Sequence, residues 1–145
     1  MLPSRILVAT DGSPSAVAAE AFAAELAVAE HASNIDIVTV ALKLPVRGAV
    51  IPPSPMEIEA AERHVAEAAE HIRWMIGGEP ILIEERVLDA AFVAEAIIRE
   101  AYATDERSHI VMGSRGRGGL MAFLLGSISH ETIRGAYCPV TIVRS

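Results

Sequence analysis

A chain of 145 residues, 52% hydrophobic and 21% charged, has the make-up of one ordinary globular domain over residues 1–145, which excludes disordered and collagen-like classes. Its formal charge of −7 argues against nucleic-acid partners and anionic membranes, since both need a basic surface. Cys138 is the only cysteine, which excludes an intramolecular disulfide and a multi-cysteine metal site; its place before Pro139 in an apolar stretch predicts a buried thiol.

Aromatic residues make up only 4% of the chain, so the core must be built from Ala, Val, Ile and Leu. The opening apolar run is too short for a signal peptide, and no stretch approaches the roughly 20 apolar residues of a membrane span. The expected location is the cytoplasm, with no membrane partner.

From one end to the other, short β-branched runs alternate with longer Ala-rich segments, the pattern of βαβ units around a parallel sheet. The first strand is predicted over Arg5 to Thr10, and most strands are continuously apolar, as strands covered on both faces are. Ser13 followed by Pro14 reads as an N-cap and first helical position, opening a helix to about His31. A second strand spans Ile35 to Leu42. Lys43 to Pro53 holds Pro45, Pro52 and Pro53 and no periodicity, which predicts a surface loop, one use of which is a lid over a site.

Ser54-Pro55-Met56-Glu57 fits a capping box. The helix it opens carries Ile58, Ala61, Val65, Ala68, Ile72 and Met75 at spacings of three and four, and Gly77-Gly78 ends it. A third strand is expected over Ile81 to Val87, then a helix capped by Asp89 with Val93, Ile97 and Ala101 as its buried stripe. The fourth strand, His109 to Gly113, leads into a glycine-rich turn. Ser127 caps a last helix to about Gly135, and Val140 to Arg144 is the fifth strand.

Right-handed crossovers place the C-terminal ends of all strands on one edge, where ligands of open α/β sheets bind at the reversal of strand order. Two turns fall there, Thr10-Asp11-Gly12-Ser13 and the segment from Gly113 through Arg115 and Gly116 to Gly126-Ser127-Ile128-Ser129. Five glycines lie between positions 113 and 126; glycine lets backbone N–H groups approach an anion without a Cβ in the way. A helix starting after Gly126 adds unpaired N–H donors and the positive end of its dipole. The hydroxyls of Ser127 and Ser129 are further donors.

From Arg107 to Ser129 there is no Asp or Glu, while Arg107, Arg115 and Arg117 are present. The local field favours an anion, in an otherwise acidic chain. The competing reading is a solvated glycine loop with incidental arginines. A P-loop is excluded, because G-x-x-x-x-G-K-[ST] is absent and Lys43 is the only lysine. No G-x-G-x-x-G follows the first strand either.

Gly113, Gly116 and Gly126-Ser127 have the spacing of glycine, two residues, glycine, nine residues, then glycine with serine or threonine. In that spacing, and in ILVATDGS, IVMGSRGRGGL and CPVTIVRS taken in order, the chain resembles the ATP-binding branch of the universal stress proteins over nearly its whole length. The resemblance implies an α/β three-layer sandwich, Rossmann-like and adenine nucleotide alpha hydrolase-like, with a five-stranded parallel sheet of order 3-2-1-4-5 and helices on both faces. It implies an adenine nucleotide ligand, ATP first, with ADP or AMP as alternatives and Mg²⁺ as companion.

By the same resemblance Asp11 meets the nucleoside and Thr10 and Val40 flank the adenine. Gly113, Arg115, Gly116, Gly126, Ser127 and Ile128 wrap the ribose and phosphates, with Ser129 in the same turn. The last strand, Val140 to Arg144, would pair with that of a second subunit; an apolar edge strand needs such cover. The family often has an acidic residue before the fourth strand and a glycine after the third, where this chain has Ser108 and Asp89-Ala90-Ala91.

The implied function is a regulatory or sensory nucleotide-binding module of the stress response, with at most slow hydrolysis and no catalytic residue assigned. The alternative is an enzyme of adenylate chemistry or an ATPase on the same fold; the lysine- or histidine-containing signature usual beside such a glycine loop is not evident. The histidines show no metal-ligand spacing, and His64 and His71 read as solvated surface. His130, one turn into the last helix, reads as a helix-face residue, with an approach to the phosphates as its other use.

Overall fold

The computed structural model describes residues 4–104, 106–115 and 126–145. In chain order these form β1 (Ser4–Ala9), α1 (Pro14–Glu30), β2 (Asn34–Leu42), β3 (Leu44–Val46), β4 (Ala49–Ile51), α2 (Pro55–Ile76), β5 (Leu82–Ala90), α3 (Val93–Ala101), β6 (Arg107–Gly113), α4 (Ser127–Gly135) and β7 (Val140–Val143). One sheet has the order β5-β2-β1-β6-β7, parallel at every pairing. Among the strands of this sheet the order is third, second, first, fourth, fifth, as expected. Strand order therefore reverses between β1 and β6.

Both faces of the sheet are covered, which is why most of its strands read as continuous apolar runs, the edge strand β5 with Glu84, Glu85 and Arg86 being the exception. Ile6 and Val8 of β1, Ile35 and Ile37 of β2 and Val111 of β6 pack with Ala19, Ala23, Ala27 of α1 and Val65, Ala68, Ile72 of α2. Leu7, Val38, Ile110 and Met112 face the other way, against Ile97 and Ala101 of α3. The alanines of α1 let the helix lie close to the sheet. Cys138 packs against this second cluster but is half-buried, less enclosed than the sequence predicts, since Tyr137 and Pro139 on either side of it are exposed. Among the described residues no helix is long and apolar enough to cross a membrane.

The predicted helix starts at Pro14 and Pro55 hold. The Ser13 hydroxyl accepts the Ala16 N–H, and Ser54 and Glu57 form a complete capping box. Chain reversal after α1 uses a left-handed His31, φ 54°, and after α2 Gly77, φ 60°. Of the predicted α2 stripe, Ile58 is 38% exposed, and the buried face begins at Ala61.

Two local expectations are corrected. Asp89 is not a cap: it lies in β5, paired with Ala41 of β2, and the ladder runs on to Ala90 opposite Leu42. Continued pairing satisfies more backbone groups than an early helix start would, so α3 begins at Val93 after Phe92 with no side-chain cap. The segment between Lys43 and Pro53 is not an irregular loop but a hairpin of β3 and β4. Its two-residue turn, Arg47-Gly48, has φ of 46° and 80°, the positive values that tight hairpins require.

A buried ion network occupies the N-terminal ends of the strands on the α3 face. Arg5 is wholly buried, with Nε on Asp36 Oδ2. Its Nη1 donates to the Glu100 carbonyl at 2.8 Å and its Nη2 to Glu100 Oε1 at 3.2 Å. Asn34 donates to Asp36 at 2.9 Å, and Arg86 Nη1 lies 3.0 Å from Asp36 and 2.9 Å from Glu100. Burial opposes the charge on Arg86, but its hydrogen bond to Asp36 and attraction from Asp36, Glu100 and Glu84 outweigh this and raise its pKa.

Asp36→Ala strands the Arg5 guanidinium without its nearest counter-charge, and denaturant unfolding is expected to show a loss of about 3 kcal/mol or more; a loss below ~1 kcal/mol contradicts the network's role. The Ser54 backbone N–H, followed by the Ser54 hydroxyl, holds the Glu57 pKa below its ordinary value of 4.5. With the folded value depressed, this stabilisation is full above the unfolded pKa and lost as pH falls through the folded one. A carboxyl NMR titration should give a Glu57 midpoint below 4.5 that moves upward in Ser54→Ala.

Candidate functional site

The site is built where β1 and β6 end side by side. Thr10, just past β1, is anchored twice through its backbone: its N–H donates to the Val38 carbonyl at 2.9 Å, and its carbonyl accepts the Thr39 hydroxyl at 2.8 Å. Its own hydroxyl donates to Glu20 Oε2 at 3.2 Å and accepts the Gly12 N–H at 3.3 Å. Gly12, with φ 78°, lets the chain turn so that Asp11 Oδ1 accepts the Ser13 N–H at 2.9 Å. Asp11 is thereby fixed, half-buried, ahead of α1.

The exit of β6 is stitched to the start of α1. A Cβ on Gly113 would lie 2.4 Å from Ser15 Oγ, 2.7 Å from the Ser15 carbonyl carbon and 2.8 Å from the Ala16 nitrogen, so only glycine fits. The Arg115 carbonyl then accepts hydroxyls from Ser15 at 2.6 Å and Ser13 at 3.3 Å. Between them Ser114 donates its N–H to Val143 of β7 at 2.8 Å, and its carbonyl accepts the Gly126 N–H at 2.7 Å.

Gly126, not Ser127, is the N-cap of α4, and no side chain caps the helix. The reason is space: a Cβ on Gly126 would lie 3.2 Å from the Ser114 carbonyl oxygen and 3.3 Å from Arg115 Cα. The first-turn N–H groups of a helix have no intrahelical acceptor, and the Gly126 N-cap has no side chain to offer them. Ser127 and Ile128 are exposed in that turn. The N-termini of α1 and α4 open on one edge of the sheet, and their dipoles favour negative charge between them.

The structure thus connects Thr10, Asp11, Gly113, Arg115, Gly126 and Ser129 through one continuous set of bonds and close approaches. Ser129 is turned inward: its hydroxyl meets the Ser114 carbonyl at 2.9 Å and the Gly126 carbonyl at 3.0 Å, so it braces the helix start. Val40, at the C-terminal end of β2, is half-buried against the α3-side cluster. Gly116 lies outside the described residues. His130 is exposed on α4.

Sequence reasoning missed Ser15, Thr39 and Glu20. Glu20 left a signal, a carboxyl in line with Ala16, Ala23 and Ala27 on the buried stripe of α1. His71 is corrected too: its Nδ1 lies 3.2 Å from Glu20 Oε1 and its side chain is 33% exposed, so it joins α2 to α1 instead of standing in solvent.

Comparison with known proteins agrees with this architecture. The sequence profile of the universal stress protein family matches residues 3–144. The universal stress protein YxiE of Bacillus subtilis is 31% identical over 97% of this chain and 99% of its own length. A universal stress protein of Mycolicibacterium smegmatis is also 31% identical, over 96% of this chain but only 45% of its own length; the chain spans less than half of that relative. The Archaeoglobus fulgidus universal stress protein solved in complex with dAMP superposes with a TM-score of 0.70 at 24% identity, covering 99% and 98% of the two chains. A universal stress protein solved in complex with cAMP gives 0.70 at 21% identity, covering 99% of each.

Gly113→Ala forces its methyl into the first turn of α1 and is expected to cost roughly 1–3 kcal/mol in denaturant unfolding. Gly78→Ala, where nothing lies within 4 Å, serves as the control and should stay within about 0.5 kcal/mol of the parent. Equal effects of the two substitutions would remove the case for a forced close approach.

Proposed function

Because the chain belongs to the universal stress protein family, we propose that it binds an adenine nucleotide, ATP in the first place, as a regulatory or sensory module of the cytoplasmic stress response. The observation that carries the reading is the Ser114 carbonyl holding both Gly126 and Ser129, which sets the start of α4 on the same edge of the sheet as the β1 turn. Backbone donors at a helix N-terminus are what phosphate oxygens require. Solved proteins of the same fold in complex with dAMP and with cAMP support the adenine part.

In this reading Asp11 takes the ribose, Thr10 and Val40 flank the base, and Gly113, Arg115 and Gly116 approach the phosphates. The N–H groups of Ser127 and Ile128 are the phosphate donors, with Ser129 as brace. Mg²⁺ would neutralise part of the triphosphate charge. Occupancy is itself the signal: a ligand at one hundred times its Kd stabilises the folded state by about 2.7 kcal/mol. β7, with the partly buried Val140, Ile142 and Val143, pairs with β6 on one side and is an edge strand of the sheet among the described residues, and a second copy pairing on its other side would give a homodimer.

Calorimetric titration with ATP, ADP, AMP and cAMP, with and without Mg²⁺, tests the reading. At least one should bind and raise Tm, while Gly126→Val and Asp11→Ala should each weaken it by about tenfold or more. Absence of both heat and Tm shift for all four nucleotides overturns it. Rapid release of pyrophosphate or ADP in the same samples would place the protein among enzymes instead.

A further inference from the structure

Glu20 is 4% exposed, in the middle of the alanine stripe with which α1 meets the sheet and α2. A carboxyl in such a place is costly unless bonded, and here both oxygens are occupied. Oε2 accepts the Thr10 hydroxyl at 3.2 Å; Oε1 shares a hydrogen bond of 3.2 Å with His71 Nδ1. Thr10 needs no help to stay in place, since its backbone N–H and carbonyl are bonded to β2. What Glu20 decides is the direction of one hydrogen.

A threonine hydroxyl has a single proton and two lone pairs. With the proton drawn inward to Glu20, a lone pair faces the Gly12 N–H at 3.3 Å. That bond holds the amide between Asp11 and Ser13, and so the turn in which Asp11 Oδ1 accepts from Ser13. Without an acceptor at position 20 the hydroxyl is free to rotate, point its proton at the turn and lose Gly12.

From this geometry we infer that Glu20, held from α2 by His71, is a positioning residue of the nucleotide site: it orients the Thr10 hydroxyl and thereby sets the Gly12 amide and the Asp11 carboxylate. The inference rests on the nucleotide reading above. It separates binding from stability, because removing the carboxyl alone leaves the buried Thr10 hydroxyl without its acceptor and costs stability, whereas replacing both partners by apolar groups restores much of that stability and leaves binding weak. A carboxyl present only for packing makes no such separation.

The test is ATP titration of the full chain, parent and variants, beside denaturant unfolding of each. Glu20→Leu should lose some stability and weaken ATP binding by about tenfold, and Glu20→Gln, which retains an acceptor for Thr10, should recover most of the affinity. Thr10→Val should weaken binding to the same degree. The double variant Thr10→Val with Glu20→Leu should lose no more than either single one, as members of one chain do. ATP should also move the His71 imidazole nitrogen resonances in the parent and not in Glu20→Leu.

Parent-level ATP affinity in Glu20→Leu overturns the inference while leaving nucleotide binding intact. So do additive losses in the double variant, or a Glu20→Gln that falls with Glu20→Leu. A parent chain that binds no ATP overturns the nucleotide reading itself, and this inference with it.

Discussion

β6 leaves the sheet pressed against the first turn of α1, at a distance that admits no side chain at Gly113. The three residues that follow from this contact tie together four elements. Gly113 touches Ser15, Ser114 bonds to β7 through its N–H and to the start of α4 through its carbonyl, and the Arg115 carbonyl collects two α1 hydroxyls. Displace that approach and the N-termini of α1 and α4 lose their common edge. The alanines of α1 belong to the same constraint, because larger residues would lift the helix off the strands.

The two ends of β1 divide the work between stability and recognition. At one end Arg5 lies among Asp36, Glu100 and Arg86, a network whose charges are satisfied internally. At the other, Thr10 and Asp11 open the candidate site, roughly 16 Å away at the rise of a strand. Opposite charges paired within a few ångströms of one another largely cancel at that distance, so they exert little net field at the C-terminal edge. The site is left to nearby dipoles and backbone donors. A rigid, doubly covered sheet holds both ends in register, so the turn geometry at Thr10 is fixed by pairings formed along the whole strand.

Strands and helices were legible wherever one local signal sufficed. Short β-branched runs, most of them continuously apolar, marked the five sheet strands, and Ser13-Pro14 and Ser54-Pro55 gave two helix starts at their observed positions. Failures came where pairing partners decide. Asp89 has cap chemistry, but its register opposite Ala41 keeps it in β5. Arg47-Gly48 makes a tight turn only because Val46 and Ala49 pair across it. In the candidate site, the turn positions Asp11, Gly113 and Gly126 were marked by spacing and family resemblance. Ser15 and Thr39 were not, because a hydroxyl's partner is set by which carbonyl the fold brings within reach.

An acidic chain proposed to take up a polyanion would face repulsion at long range, and the arrangement at the C-terminal edge is a consistent answer to it. Backbone N–H groups carry no net charge, so they add nothing to cationic patches that would attract nucleic acid, yet at contact they match phosphate oxygens one to one. The stretch from Arg107 to Ser129 carries no carboxylate, which removes the nearest repulsion without making the whole protein basic. Asp11, the one acidic group at the turn, accepts from the Ser13 N–H and faces the α1 dipole. That setting suits a partner offering hydroxyl donors, such as a ribose, better than one offering more oxygen anions. Selectivity for a nucleoside phosphate over a bare phosphate would then come from the β1 turn, and affinity for the phosphates from the start of α4.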